Sequence, residues 1–313
     1  MRTLLRAAVA AAASAGTTGR LSVLIYHRVL ERPDPLFPDE VDARRFADQM
    51  ALLSTAFNVI PLSEAVDRLV ERRLPPRAVC VTFDDGYRDN CEVALPILAR
   101  YRVPATFFVA SGFLDGGTMW NDVVIETVRR LPGPDVDLSA LGLGRFRLAT
   151  IEDRRHAVLE LVGALKYRER TQRAKLVDAI ARQSGVELPT DLMMTSKQVA
   201  TLAGAGMEIG AHTLTHPILA QLDDGAAADE ILSNRDRLQQ ITGKPVTLFA
   251  YPNGKPDRDY AARDVRIVRD GGFKAAVSTA WGVATATSDL FELPRFTPWD
   301  RSLLRFGGRL ALN

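Results

Sequence analysis

Two adjacent carboxylates behind an apolar run are the most chemically loaded feature of the chain. Residues 79–83 read Val-Cys-Val-Thr-Phe and are followed at once by Asp84, Asp85 and Gly86. A short β-branched run of this kind is the pattern of a strand buried on both faces. One aspartate there could simply cap a following helix. Two in succession call for a cation or a proton between them. The next polar residues, Asp89 and Asn90, suit the N-cap of a helix that continues through Val93, Leu95, Ile97 and Leu98. The carboxylates then sit at the C-terminal lip of a core strand, where α/β enzymes gather their chemistry.

The matching feature is His212-Thr-Leu-Thr-His216-Pro217, which follows the strand-like run 207–211. Pro217 disfavours a helical His216, so the pair is read as one histidine at a strand end and one in the loop beyond it. Two neutral imidazoles and one carboxylate form an open catalytic zinc set. The chain has four histidines, and two of them fall in this hexapeptide.

Thr-Phe-Asp-Asp-Gly-Tyr at 82–87, Ala-Thr-Phe-Phe-Val-Ala-Ser-Gly at 105–112, His-Thr-Leu-Thr-His-Pro at 212–217 and Phe-Ala-Tyr-Pro-Asn-Gly at 249–254 together resemble the polysaccharide deacetylases of carbohydrate esterase family 4. The similarity runs from about residue 21 to about residue 299 and follows the family's motif order. It implies a deformed, incomplete (β/α)7 barrel. It also implies a metal-dependent hydrolase that removes N-acetyl groups from a polysaccharide containing N-acetylhexosamine. By the same resemblance Asp85, His212 and His216 hold the metal, with zinc expected and Co2+, Ni2+ or Fe2+ as other occupants. Asp84 is the general base acting on a metal-bound water, and the backbone N–H of Asn253 is the oxyanion donor. Two positions depart from the family pattern. Its third-motif arginine is replaced by Ala250, and Arg295 in Leu-Pro-Arg-Phe is the candidate to supply that guanidinium; a surface salt bridge is the other reading of Arg295. No histidine follows His216 to serve as the late general acid, which leaves His27, in Tyr-His-Arg. An early histidine resembles the circularly permuted biofilm-polysaccharide branch.

These residues need a scaffold, and the rest of the sequence supplies its elements. Strands are expected over 21–29, 57–60, 106–110, 246–251, 274–278 and 291–296. Helices are expected over 41–56, 63–73 (with Ser63 as cap), 196–205, 223–242 and 260–270. His27, Asp84 and Asp85, His212, Asn253, Trp281 and Arg295 then all lie at strand ends, as on the C-terminal face of a β/α barrel. Residues 113–195 differ in character: recurrent glycine and proline precede a charged helical region over 151–184, with Leu159, Val162, Leu165, Leu176 and Ile180 as its buried face. They are read as a helical insertion in a barrel domain of residues 21–313, with His156 on its surface. Trp120 and Asn121 stand either in its core or beside the substrate groove.

The 313 residues, 47% hydrophobic, are enough for a full core. Forty basic and 38 acidic residues leave a formal charge of +2, which gives no basis for binding nucleic acid. Cys80 and Cys91 are read as thiols, and no apolar run reaches the roughly 20 residues of a membrane span. Residues 1–20 carry an alanine tract with a weak likeness to an export signal. It is read as a helix packing on the domain, which favours the cytoplasm and leaves localisation open. Two other functions use the same residues: a metal-dependent deformylase or amidase on a small or lipid-linked substrate, and a non-catalytic carbohydrate-binding protein.

Overall fold

Seven parallel strands form the ring that carries the candidate residues. The computed structural model describes residues 19–298 and 300–312. Along the chain the strands are β1 (Arg20–Tyr26), β2 (Asn58–Val59), β3 (Ala78–Phe83), β4 (Thr106–Val109), β5 (Asp135–Asp137), β6 (Arg145–Arg147), β7 (Glu208–Ala211), β8 (Leu248–Ala250), β9 (Ala275–Trp281), β10 (Ala284–Thr285) and β11 (Leu293–Arg295). The main sheet runs β1-β3-β4-β7-β8-β9-β11, with every pair parallel. A parallel bridge between Leu24 and Phe296 then joins the last strand to the first. The hydrogen bonds Ile25 N–H to Phe296 O (3.0 Å) and Phe296 N–H to Val23 O (2.8 Å) complete that join. The result is a small seven-stranded barrel. Two short strands fall outside the ring: β2 lies against β3, and β10 pairs antiparallel with β1.

The period of two along β3 divides its residues between two cores. Val79, Val81 and Phe83 pack with apolar residues of the surrounding helices, whereas Ala78 and Cys80 join an inner cluster with Phe108, Ala250, Val277 and Leu293. Thr82 and Asp84 continue the inner series, so the first carboxylate projects at the barrel's end and not into the helical layer. The helices of this unit are α1 (Ala43–Ala56), α2 (Leu62–Val70) and α3 (Leu95–Tyr101) before residue 115; the next three numbers belong to the second unit below. After residue 194 come α7 (Ser196–Gly204), α8 (Asp224–Thr242), α9 (Ala262–Asp270) and α10 (Leu303–Leu312).

Two capping expectations are corrected. Ser63 does not cap α2, because the helix begins at Leu62. Its first N–H groups are received by the Glu208 carboxylate, at 2.9 Å for Leu62, which also accepts from Thr106 Oγ1 at 2.7 Å. An anion supplied by β7 thus does the work of a local cap. Asp89 and Asn90 do not cap a helix either. The stretch Asn90–Ala94 is π-helical and leads directly into α3. The Asp89 carboxylate instead accepts from Arg28 Nε at 2.8 Å and from the Val29 N–H at 3.1 Å, and Asn90 Nδ2 donates to His27 O at 2.9 Å. Both side chains therefore tie the segment after β1 to the segment after β3.

Residues 33–38 and 116–193 form a second compact unit. It contains α4 (Trp120–Arg130), the β5–β6 hairpin, α5 (Ile151–Lys166) and α6 (Arg170–Ser184). Its own core gathers Leu36, Val124, Val128, Leu161, Leu165 and Ile180. Leu159, expected inside, is 70% exposed, because α5 turns Ala157, Val158 and Leu161 inward. Trp120 packs at the edge of that core beneath the Arg173 guanidinium, 4.9 Å from its ring centre. His156 is exposed. Cys80 and Cys91 are free thiols. No helix of the described residues is long and apolar enough to cross a membrane. The alanine tract lies outside the described residues.

Candidate active site

The strand ends bring Asp84, Asp85, His212, His216 and Arg295 into one cluster. β3 stops at Phe83, and Asp84 remains anchored by its N–H to Tyr26 O at 2.9 Å. Asp85 then turns into the left-handed region, φ 76°, and Gly86 follows at φ 93°. Successive strand residues normally face opposite ways. This turn lets two adjacent carboxylates serve the same end of the barrel. A non-glycine residue held at such a φ is strained, and strain of this kind collects at functional sites. Gly86 itself has little alternative, since a Cβ there would lie 2.9 Å from Val109 Cγ1.

Asp84 is 2% exposed and is gripped at both oxygens. Arg295 Nη1 donates to Oδ1 and Nη2 to Oδ2, each at 2.7 Å. The guanidinium is itself fixed by Nε to Ser278 O at 2.8 Å and by Nη1 to Thr82 Oγ1 at 3.2 Å. Arg295 is 1% exposed, so this is not a surface ion pair. The fork matches a carboxylate with two parallel hydrogen bonds. Burial works to raise the Asp84 pKa, but the charge of Arg295, then that of His212, outweighs it and holds the carboxyl below its usual range.

Asp85 makes different contacts. Its Oδ1 lies 3.4 Å from His212 Nε2 and 3.3 Å from His216 Nε2. That oxygen is buried and has no hydrogen-bond partner within ordinary distance. The separations decide how it is used. A charge-assisted N–H···O bond measures about 2.7–2.9 Å, so both contacts are too long to be one. Donors bound at about 2.0–2.1 Å to one tetrahedral ion stand roughly 3.3–3.4 Å apart, which is the spacing present here. One ligand atom from each of Asp85, His212 and His216 lies within 4.8 Å of the others. The three residues fit a divalent cation.

The imidazoles are presented for that use. His212 Nδ1 lies 2.7 Å from Ala250 O, and a carbonyl only accepts, so Nδ1 carries the proton and Nε2 offers its lone pair. Ala250, where the family pattern has an arginine, thus contributes its backbone oxygen. His216 adopts φ 53°. Pro217 excludes the helical region, as expected, but the residue lies in the left-handed region and not in the extended one. Its N–H donates to Thr213 Oγ1 at 3.1 Å. Burial holds the His216 pKa down at about 4, keeping its ring neutral near pH 7. Burial would also lower His212, but Asp84 and Asp85 beside it carry it upward. For Asp85, burial acts upward, and the His216 charge with the His212 contact brings the carboxyl well below the usual range.

The other sequence candidates lie at or just beyond strand ends. Asn253 follows β8 at φ 59°, and its carbonyl accepts from Thr279 Oγ1 at 2.8 Å. His27 follows the last residue of β1 and is exposed, not buried in the barrel wall. Trp281 ends β9 in register with Arg295, is 57% exposed and packs against Phe296. Glu230 and Asn234, both buried on α8, also reach the histidine loop. Nothing in the sequence distinguishes them from ordinary polar helix residues.

A seven-stranded parallel barrel with paired aspartates and an His-x-x-x-His loop at its C-terminal face defines the class of this molecule. The family model of the polysaccharide deacetylases matches residues 71–133 and 171–275, just over half the chain. The chain belongs to the polysaccharide deacetylase family. Among curated proteins, YxkH of Bacillus subtilis (strain 168), named for this family, is 19% identical over 278 residues, covering 88% of this chain and 70% of YxkH. Among solved structures, the Streptococcus pyogenes deacetylase PplD in complex with acetate matches with a TM-score of 0.60 at 20% identity, over 90% of this chain and 93% of PplD. IcaB from Ammonifex degensii matches with the same score and identity, over 94% of this chain and 96% of IcaB. These likenesses carry the fold.

Proposed function

We propose that the protein is a metal-dependent N-deacetylase acting on a polysaccharide that contains N-acetylhexosamine. The observation that carries this is the partnerless, buried Asp85 Oδ1 held 3.3–3.4 Å from two imidazole Nε2 atoms, beside a second carboxylate bound by Arg295. Asp85, His212 and His216 hold one divalent cation, with zinc the natural occupant of a two-histidine, one-carboxylate set. When bound, such an ion acidifies water and draws electron density from an amide carbonyl.

The chain's own groups do the rest. Asp84 takes the proton of the attacking water, and its charge is fixed in place by Arg295 as that proton arrives. The Asn253 N–H donates to the carbonyl oxygen as it becomes an oxyanion, in a loop whose turn is held by Thr279. The C–N bond then breaks, and His27 gives a proton to the departing amine. Water's hydroxyl has joined the acetyl carbon and its other proton rests on Asp84, while the proton on nitrogen has come from His27; exchange with solvent resets both residues as acetate and the amino sugar leave. His27→Ala is expected to lower kcat by about 10²–10⁴, the usual worth of a positioned acid, with KM and metal content little changed. A His27→Ala enzyme that turns over normally would exclude the role.

Substrate class is tested by acetate release from N-acetylglucosamine polymers set against small and lipid-linked acetamides and formamides. Preference for the polymer supports the proposal. Turnover of small amides alone supports an amidase or deformylase. Binding of glycans with no release points to a carbohydrate-binding protein.

A further inference from the structure

The loop from His212 to His216 is held by two buried side chains one helical turn apart on α8. Asn234 is fully buried, and its Oδ1 accepts from the His212 N–H at 3.0 Å. Its Nδ2 donates to Val109 O at 3.1 Å and Ser111 Oγ at 2.9 Å, so one amide joins the ends of β4 and β7. Glu230 is 7% exposed. Its carboxylate accepts from the Thr215 N–H at 2.8 Å and from Thr215 Oγ1, and its backbone carbonyl accepts from the Leu214 N–H at 3.0 Å. Inside the loop, Thr213 Oγ1 donates to His212 O at 2.5 Å while accepting from the His216 N–H. On the other side, Leu214 O accepts from the Gly112 N–H at 2.8 Å. A Cβ at Gly112 would stand 2.5 Å from that same oxygen, so the approach needs glycine.

Thr213 and His216 both lie at positive φ, and they persist there because the surroundings over-determine the path. The fastening also divides by ligand. Asn234 fixes the backbone of His212, and Glu230 fixes Thr215, the residue before His216.

We propose that Glu230 and Asn234 are positioning residues for the two metal-binding imidazoles: the pair sets ion affinity and coordination geometry by holding Nε2 of His212 and of His216 at a common distance from Asp85. The inference rests on the metal reading above. A carboxylate on a neutral Thr N–H and hydroxyl is charge-assisted and rigid, and groups that orient metal ligands typically contribute 10–100-fold in affinity. α8 then acts as the ruler of the site while its exposed face is free to vary.

The test is metal affinity of the full chain, read by competition with a chromogenic chelator for Zn2+, and the visible absorption of the Co2+-loaded protein. Glu230→Gln and Thr215→Val each remove one arm of the same contact. Each should weaken Zn2+ binding about tenfold and alter the Co2+ spectrum. The double variant should be little weaker than either single one, because both substitutions break one interaction. Asn234→Ser should weaken binding similarly. Asp236→Ala, on the exposed face of the same helix, should bind as the wild type does. Variants that lose thermal stability yet keep wild-type affinity and spectrum would overturn the inference and leave the metal reading intact. A wild-type chain that binds no stoichiometric ion would overturn both.

Discussion

Asp84→Asn leaves an enzyme that keeps its ion and has lost about 10²–10⁴ of its turnover. The amide has no basic oxygen with which to take a proton from water, and half of its head group is a donor facing the donors of Arg295. Ion binding survives because Asp84 is not placed as a ligand. Both of its oxygens are occupied by the guanidinium at 2.7 Å, and the nearer imidazole nitrogen, His212 Nε2, is 3.9 Å away. Metal analysis of purified protein beside kcat for the same sample decides the point. A variant that loses ion and activity together would mean that the two aspartates share the cation. A variant with full activity would remove Asp84 from the chemistry.

Arg295→Met is expected to cost about 3–5 kcal/mol of stability, since it leaves the Asp84 charge buried without its partner. The effect should carry a pH signature. The folded-state pKa of Asp84 is depressed, so the ion pair's contribution is fully present above the unfolded carboxylate value of about 4 and is lost as pH falls through the folded value. The gap between wild type and variant in denaturant unfolding should therefore narrow on acidification below about pH 4. The double variant Asp84→Asn/Arg295→Met should be more stable at pH 7 than Arg295→Met alone, because it buries no unpaired charge. A constant gap across pH, or a double variant that is worse, would contradict a buried ion pair as the cause.

Much of this site was legible because strand ends are legible. A run such as Val79–Phe83 announces its own C-terminus, and the residue types that follow say what gathers there. Arg295 was readable for the same reason, as a cation closing the last strand where Ala250 leaves a gap in the family pattern. What sequence could not supply was the backbone beyond those ends. The left-handed turn at Asp85, which puts neighbouring carboxylates to work at one end of the barrel, has no marker except Gly86. The left-handed His216 is similarly hidden behind a proline that excludes only the helix. Ser63, Asp89 and Asn90 read as caps from sequence because a polar residue before a helical pattern is locally consistent with capping. Their real partners, Glu208, Arg28 and His27, lie 61 to 145 residues away. Glu230 and Asn234 escaped for the opposite reason: acids and amides are ordinary on a helix, and only burial marks these two as different. Leu159 shows the limit of periodicity, since a charged helix with apolar residues on more than one side offers two plausible faces.

The most direct test of the account is the ion titration of acetate release. Protein stripped with a chelator is assayed on an N-acetylglucosamine polymer while Zn2+ or Co2+ is returned in steps. The stripped protein should release no acetate, activity should recover in proportion to added ion and saturate at one per chain, and His212→Ala should show no recovery. Acetate release that continues undiminished at negligible ion content would contradict the account.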